Sequence, residues 1–177
     1  WESRDQVNRL ITRADYEAMG GVEGALARHA DGVLDGLAPE ELLTAKKLFL
    51  RLVTPEETRK TVRENELLDG LPSNADIVYQ RLIKSRLLAL SRSTKNQDGV
   101  GRLELAHDSL IKTWQTLARW VEDSKEELII LAEVSQAAEL WKRRGNRIEE
   151  LWTGTGLLDA ERLLAHAQSE LPTLVLA

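Results

Sequence analysis

A histidine followed by an aspartate, His107-Asp108, stands where the period of the apolar residues changes. Before the pair, Leu103 and Leu105 alternate with polar residues, which is typical of a half-buried strand. After it, apolar residues recur at three- and four-residue steps, as on one face of a helix: Leu110, Ile111, Trp114, Leu117, Ala118 and Val121. The pair is therefore predicted to lie at the junction between a strand and a helix.

Such a junction could bind an anion. The start of a helix collects positive potential and has backbone N–H groups without helical partners. Asp108 is predicted to be an N-cap that accepts from those groups, and the ring of His107 can donate a hydrogen bond. Ser109 does not complete a catalytic triad with them, because three consecutive side chains point in different directions. The alternative is that His107 only shapes the turn, and the residues alone favour this alternative because most single histidines do no chemistry.

The string LELAHDSLIKTWQTLARWVED, residues 103–123, resembles the C-terminal end of the winged-helix domain of STAND signalling ATPases. This superfamily includes the apoptosome and plant resistance-protein ATPases. In it, the junction is called the MHD motif, and its histidine contacts the β-phosphate of bound ADP. Ala106-His107-Asp108 takes the place of this motif, with Ala where the name has Met. The resemblance runs from about Tyr16 to about Leu164 and is closest to the bacterial branch.

The resemblance implies a role for each matching position. His107 would sense the phosphate of ADP in the full-length protein, and Gly20 and Gly21 would belong to the segment that begins the helical domain beside the nucleotide. Better-known relatives have a Gly-Leu-Pro-Leu motif here whose proline touches the base, and this chain has no proline at that place. ADP or ATP with Mg is implied for the full-length protein, with no cofactor in this fragment. The implied partners are the protein's own upstream NTPase domain, a downstream repeat or sensor domain, and further copies of itself on activation.

The rest of the chain is predicted to be mainly helical with a small β-hairpin. Paired glycines, Gly20-Gly21, indicate a turn before a helix. Polar residues around Asp98-Gly99 indicate the hairpin loop. The predicted order is helix 22–37, helix 39–53, a short strand within 58–63, helical turns at 67–71, a helix capped by Ser73 or Asn74, and strands 87–92 and 101–106. From residue 39 onwards this is the order of a winged helix.

Helices are predicted for everything after the hairpin: 108–123, 125–143 and a last unit from 151. Four of the five tryptophans lie in this part, so we expect it to hold a core of its own. The predicted divisions are 1–38 as a helical connector after an absent NTPase core, 39–107 as the winged-helix domain, and 108–177 as a helical extension towards a sensor region.

The composition excludes several functional classes. The 177 residues include no cysteine and three histidines, so there is no disulfide framework and little from which to build a zinc site. No apolar run approaches the roughly twenty residues of a membrane span, and a cytoplasmic location is expected. No glycine is followed by lysine, so the Gly-Lys-Ser/Thr core of a P-loop is absent and the chain alone is not expected to be an enzyme.

A basic stretch supports one alternative function. Between Ile77 and Arg102 there are six basic residues and one acidic residue. This span would be the recognition helix and wing of a DNA-binding winged helix. Its candidate contact residues, for DNA or for docking on the NTPase core, are Arg81, Lys84, Arg86, Arg92 and Lys95. The net charge of −5 and the missing base-reading side chains argue against nucleic acid.

Overall fold

A computed structural model of the chain describes residues 21–91 and 101–167, with side chains except at 150 and 163–167. The described part is mainly helical and contains a three-stranded antiparallel sheet, which confirms the predicted fold class. No helix in these two ranges is both long and apolar enough to cross a membrane. The elements are α1 (Gly21–Asp35), α2 (Pro39–Arg51), β1 (Val62–Arg63), α3 (Glu64–Leu68), α4 (Ala75–Lys84), β2 (Leu88–Ser91), β3 (Arg102–Leu105), α5 (Ser109–Thr113), α6 (Gln115–Asp123), α7 (Lys125–Arg143), a 3-10 turn (Ile148–Glu150) and α8 (Thr155–Ala167).

Local sequence signals explain several of these boundaries. Gly21 opens α1 with a φ of +68°, a conformation that glycine adopts without steric cost. Pro39 is the first residue of α2, and the carboxylate of Glu41 accepts from the backbone N–H of Ala38 at 2.9 Å, which satisfies one of the free donors of the first turn. After α7 the chain turns through Gly145, whose φ is +85°. These ends agree with the predicted ones to within a few residues.

Strand β3 is the centre of the sheet. It pairs antiparallel with both neighbours, in the order β1-β3-β2. Leu103 and Leu105 are fully buried, which confirms the alternation predicted for this strand. From α2 to β3 the order is helix, strand, two helices and two strands, as predicted. The predicted Asp98-Gly99 turn lies outside the described residues.

One hydrophobic core serves almost all of these elements. It extends along the chain from Ala30 in α1 to Leu128 in α7. At its centre the ring of Trp114 meets Phe49 edge-on, with centroids 5.1 Å apart, and Trp120 at 6.0 Å. The segments 1–38, 39–107 and 108–177 therefore share a core in the described structure, and their division into separate units stays a prediction.

Two predictions about the part after β3 are wrong. The helix predicted over 108–123 is interrupted at Trp114, which has the extended angles φ −89° and ψ 99° and separates α5 from α6. Trp114 and Trp120 join the common core, whereas Trp141 and Trp152 are only half-buried, and no described side chain from 129 to 162 is buried. The expected separate core for this part is therefore absent from the described residues.

Candidate functional site

The backbone of His107 is held from both sides. On the strand side, the N–H of Ala106 donates to the carbonyl of Leu87 at 2.9 Å, immediately after β3. On the helix side, the N–H of Leu110 donates to the carbonyl of His107 at 3.2 Å, and the side chain of Leu110 is fully buried. Helix α5 also packs against α1. The three residues between β3 and α5 thus form a short link with a fixed path.

The ring of His107 is exposed on this link. Within the residues that the structure describes, it takes part in no side-chain hydrogen bond and no ion pair. The turn is stabilised by the carbonyl of His107 and by its neighbours rather than by the imidazole. No described side chain therefore occupies the ring nitrogens of His107.

Asp108 occupies the position before α5, but the predicted N-cap hydrogen bond is absent. Its backbone is helical, with φ −63° and ψ −30°, rather than extended as a capping residue usually is. Its carboxylate instead meets the side chain of Arg59, with Oδ1 and Nε 2.7 Å apart. Helix α5 has only five residues, so its macrodipole adds little to anion binding here, contrary to the expectation from sequence.

Arg59 is a site residue that the sequence analysis missed. Its guanidinium Nη1 lies 3.3 Å from Oε1 of Glu104 and donates to the carbonyl of Leu105 at 3.2 Å. The hydroxyl of Thr61 donates to the other carboxylate oxygen of Glu104 at 3.0 Å. Arg59 lies 49 positions before Asp108, and an arginine in a polar loop gives no local signal of such a partner.

Helix α1 is joined to the same region by a second unpredicted contact. The carboxylate of Asp31 accepts from the indole Nε1 of Trp114 at 2.6 Å and from the hydroxyl of Thr116 at 2.9 Å. Asp31 therefore satisfies the polar atom of the largest fully buried side chain. His29 on α1 is exposed, and its Nε2 lies 2.8 Å from the carbonyl oxygen of Ser85.

The predicted glycine site is described only in part. Gly21 has the positive φ of the expected turn, and Gly20 lies outside the described residues. No hydrogen bond or ion pair among the described residues joins Gly21 to His107. Their common role beside a nucleotide stays a prediction.

The predicted basic face is also described only in part. Arg81 and Lys84 lie in the last turn of α4, and Arg86 follows in a turn with φ +60°. All three are exposed, but the guanidinium of Arg81 lies so close to Gly36 that a Cβ there would be 2.6 Å from its Nη2. Arg81 therefore packs against the turn between α1 and α2. Arg92 and Lys95 lie outside the described residues.

A cavity of about 440 Å³ opens between α7 and α8, lined among others by Glu133, Trp152 and Asp159. None of the predicted site residues lines it. The described residues contain no group of three or more His, Asp or Glu that could hold a metal ion.

Comparison with known families places the chain among the STAND NTPases, in agreement with the resemblance of its strand–His–Asp–helix junction. Residues 1–149, more than half of the chain, match the family model of Novel STAND NTPase 1 (nSTAND1), so the chain belongs to this family. No curated protein and no solved structure matches the chain.

Proposed function

We propose that this chain is the non-catalytic regulatory arm of a STAND-type ATPase, with residues 39–107 forming a winged helix. Membership of the nSTAND1 family supports the class of protein. The order of elements from α2 to β3 and the central position of β3 support the winged helix. The absence of any Gly-Lys pair supports a division of labour in which an upstream NTPase domain binds and hydrolyses the nucleotide.

In the resting state of this proposal, the ring of His107 donates a hydrogen bond to the β-phosphate of ADP, held with Mg by the NTPase domain. The observation that carries the proposal is the exposed ring on a link whose backbone is fixed at both ends. Because that backbone is already ordered, little conformational entropy is lost when the ring meets a phosphate. A hydrogen bond to a charged acceptor is also stronger than one between neutral groups.

The switch follows from a difference in affinity between two domain arrangements. A nucleotide that bound both arrangements equally well would shift nothing. ADP favours the closed arrangement through His107, exchange for ATP removes that contact, and the arm then moves and permits homo-oligomerisation. A downstream sensor domain biases the same equilibrium, in the cytoplasm.

The arm is suited to move as one body because helices α1 to α7 contribute to one core. Helix α1 contacts α5 directly after the junction, and Asp31 joins α1 to the Trp114 break. A displacement of the junction would therefore be transmitted to α1 and, through the common core, to α2.

The experiment that tests this role is nucleotide-dependent assembly of the full-length protein. With excess ADP we expect the wild type to stay monomeric and His107→Ala to form oligomers, as measured by light scattering. His29→Ala is the matched control, since it removes a histidine that contacts the carbonyl of Ser85 instead. If His107→Ala stays monomeric in ADP like the wild type and the control, the regulatory role of the junction is refuted.

The alternative function, DNA binding, has one supporting observation, the exposed Lys84 and Arg86 at the end of α4. The packing of Arg81 on Gly36 and the exposed acid Asp76 on α4 weaken it. We expect duplex DNA to bind with no more than micromolar affinity, as in non-specific contact. A nanomolar, sequence-dependent complex in an anisotropy titration would favour the alternative.

A further inference from the structure

The loop that carries Arg59 is itself firmly anchored. The N–H of Thr54 donates to the carbonyl of Thr58 at 2.9 Å, and the N–H of Lys60 donates to the carbonyl of Leu52 at 2.8 Å. An isolated β-bridge pairs Val53 with Arg59, and both Leu52 and Val53 are buried. The Arg59 side chain therefore starts from backbone whose position is set by the core.

From this anchor, the guanidinium reaches residues on both sides of His107. Its Nη1 contacts the carboxylate of Glu104 and the carbonyl of Leu105 before the histidine, and its Nε contacts the carboxylate of Asp108 after it. Only a planar group with several donors can contact these positions together, so lysine is a poor replacement. One side chain that is only 34% exposed thus bridges residues on both sides of His107.

We propose that Arg59 is the positioning residue for His107 and that it also neutralises the two carboxylates that flank the ring. This inference rests on the proposed function, because it assigns the residue that makes the junction competent to meet a diphosphate. Without Arg59, Glu104 and Asp108 would present uncompensated negative charge beside the site, and like charges repel an approaching phosphate. With Arg59, the residues on both sides of the ring are bridged and the surrounding charge is reduced.

This role differs from a contribution to stability. Ion pairs between partly exposed side chains add little to the free energy of folding. We therefore expect Arg59→Ala to shift the thermal midpoint no more than Arg119→Ala, which removes an exposed arginine of α6 outside this cluster. A large shift of the thermal midpoint in Arg59→Ala alone would show that Arg59 acts mainly by stabilising the fold, and it would overturn the proposal.

The decisive readout is ADP affinity in the full-length protein. Arg59→Ala should weaken ADP binding about three- to thirtyfold, the range for residues that act on a site through another residue. Arg59→Lys should recover only part of the loss, because it keeps the charge but cannot contact both sides of His107. Arg119→Ala should bind ADP like the wild type. Unchanged affinity in Arg59→Ala, or complete recovery in Arg59→Lys, would contradict the positioning role.

A double variant shows whether Arg59 acts through His107. In the His107→Ala background, Arg59→Ala should cause a clearly smaller loss of ADP affinity than in the wild type, since the ring that it positions is gone and only the uncompensated charge of Glu104 and Asp108 remains. An equal loss in both backgrounds would mean that Arg59 acts directly or elsewhere, which overturns the inference.

A measurement without nucleotide separates failure of this inference from failure of the proposed function. The 177-residue chain has three histidines, so its ring signals in a ¹³C-histidine NMR spectrum can be assigned by single substitutions. Arg59→Ala should shift and broaden the signal of His107 and leave that of His29 unchanged. If His107→Ala does not alter ADP affinity, the proposed function fails, but the shift of the His107 signal in Arg59→Ala still tests whether Arg59 positions the ring. An unchanged His107 signal in Arg59→Ala would refute the positioning role.

Discussion

Trp114 and His107 lie seven positions apart on the same stretch and are used in opposite ways. The indole of Trp114 is completely buried, contacts two aromatic rings, and has its one polar atom satisfied by Asp31. The imidazole of His107 is exposed, and within the described residues its ring has no hydrogen-bonding partner. The buried side-chain contacts that stabilise the fold therefore lie beside the junction, at Trp114, rather than at the ring of His107.

The difference indicates which residue can change partners. Removing Trp114 from its contacts would leave a cavity and an unpaired indole donor, so the residue is committed to one packing arrangement. The ring of His107 can gain or lose an external contact without disturbing the core. A regulatory contact that forms and breaks with the bound nucleotide is best placed on such a residue.

The largest effect on stability should come from Trp114. Trp114→Ala should lower the free energy of unfolding by about 3–5 kcal/mol, because it removes a buried aromatic side chain and leaves a cavity. The measurement is chemical denaturation of the 177-residue chain. Trp152→Ala, at a half-buried position outside the common core, is the control and should cost clearly less. A loss in Trp114→Ala below about 1 kcal/mol would contradict the central place of this indole.

A smaller effect is expected at Asp31. Asp31→Ala should lower the free energy of unfolding by about 1–3 kcal/mol, since the buried indole N–H of Trp114 would lose its acceptor. Asp35→Ala, at an exposed position one turn further along α1, should change stability by less than about 0.5 kcal/mol. Equal midpoints of chemical denaturation for the two variants would show that the carboxylate of Asp31 contributes nothing to the packing of Trp114.

The sequence predicted burial better than it predicted backbone path. The apolar stripe placed Leu110, Trp114 and Leu117 in the core, and all three are fully buried. It could not predict the break at Trp114, because no glycine or proline stands near that position. At the break, Trp114 contacts Phe49 and Asp31, which are 65 and 83 positions away and leave no trace in local periodicity.

At the junction, too, the sequence predicted the position of a residue but not its side-chain partners. The change of period located His107 between a strand and a helix, as the structure confirms. Local rules assigned Asp108 to a cap, but the carboxylate is used by Arg59 instead. Side-chain partners from another part of the chain override a capping preference that is worth about 1 kcal/mol. The nucleotide role proposed for His107 came only from the family resemblance, since a lone histidine has no spacing that reveals its ligand.

The smallest effect on stability is expected at His107. His107→Ala should alter the free energy of unfolding by less than about 0.5 kcal/mol, because the exposed ring makes no described contact that stabilises the turn. Chemical denaturation beside Trp114→Ala would test the contrast directly. A loss above about 1 kcal/mol would mean that the imidazole helps to shape the turn after all.

ADP affinity of the full-length protein, compared between the wild type and His107→Ala, tests the proposed sensor most directly. Loss of one hydrogen bond to a charged phosphate costs about 1.5–3 kcal/mol, so the ADP dissociation constant should rise about ten- to a hundredfold. The dissociation constant for ATP should rise less, because in the proposed switch the contact belongs to the ADP-bound arrangement. Equal ADP affinities in the two proteins would contradict the assignment of His107 as the nucleotide sensor.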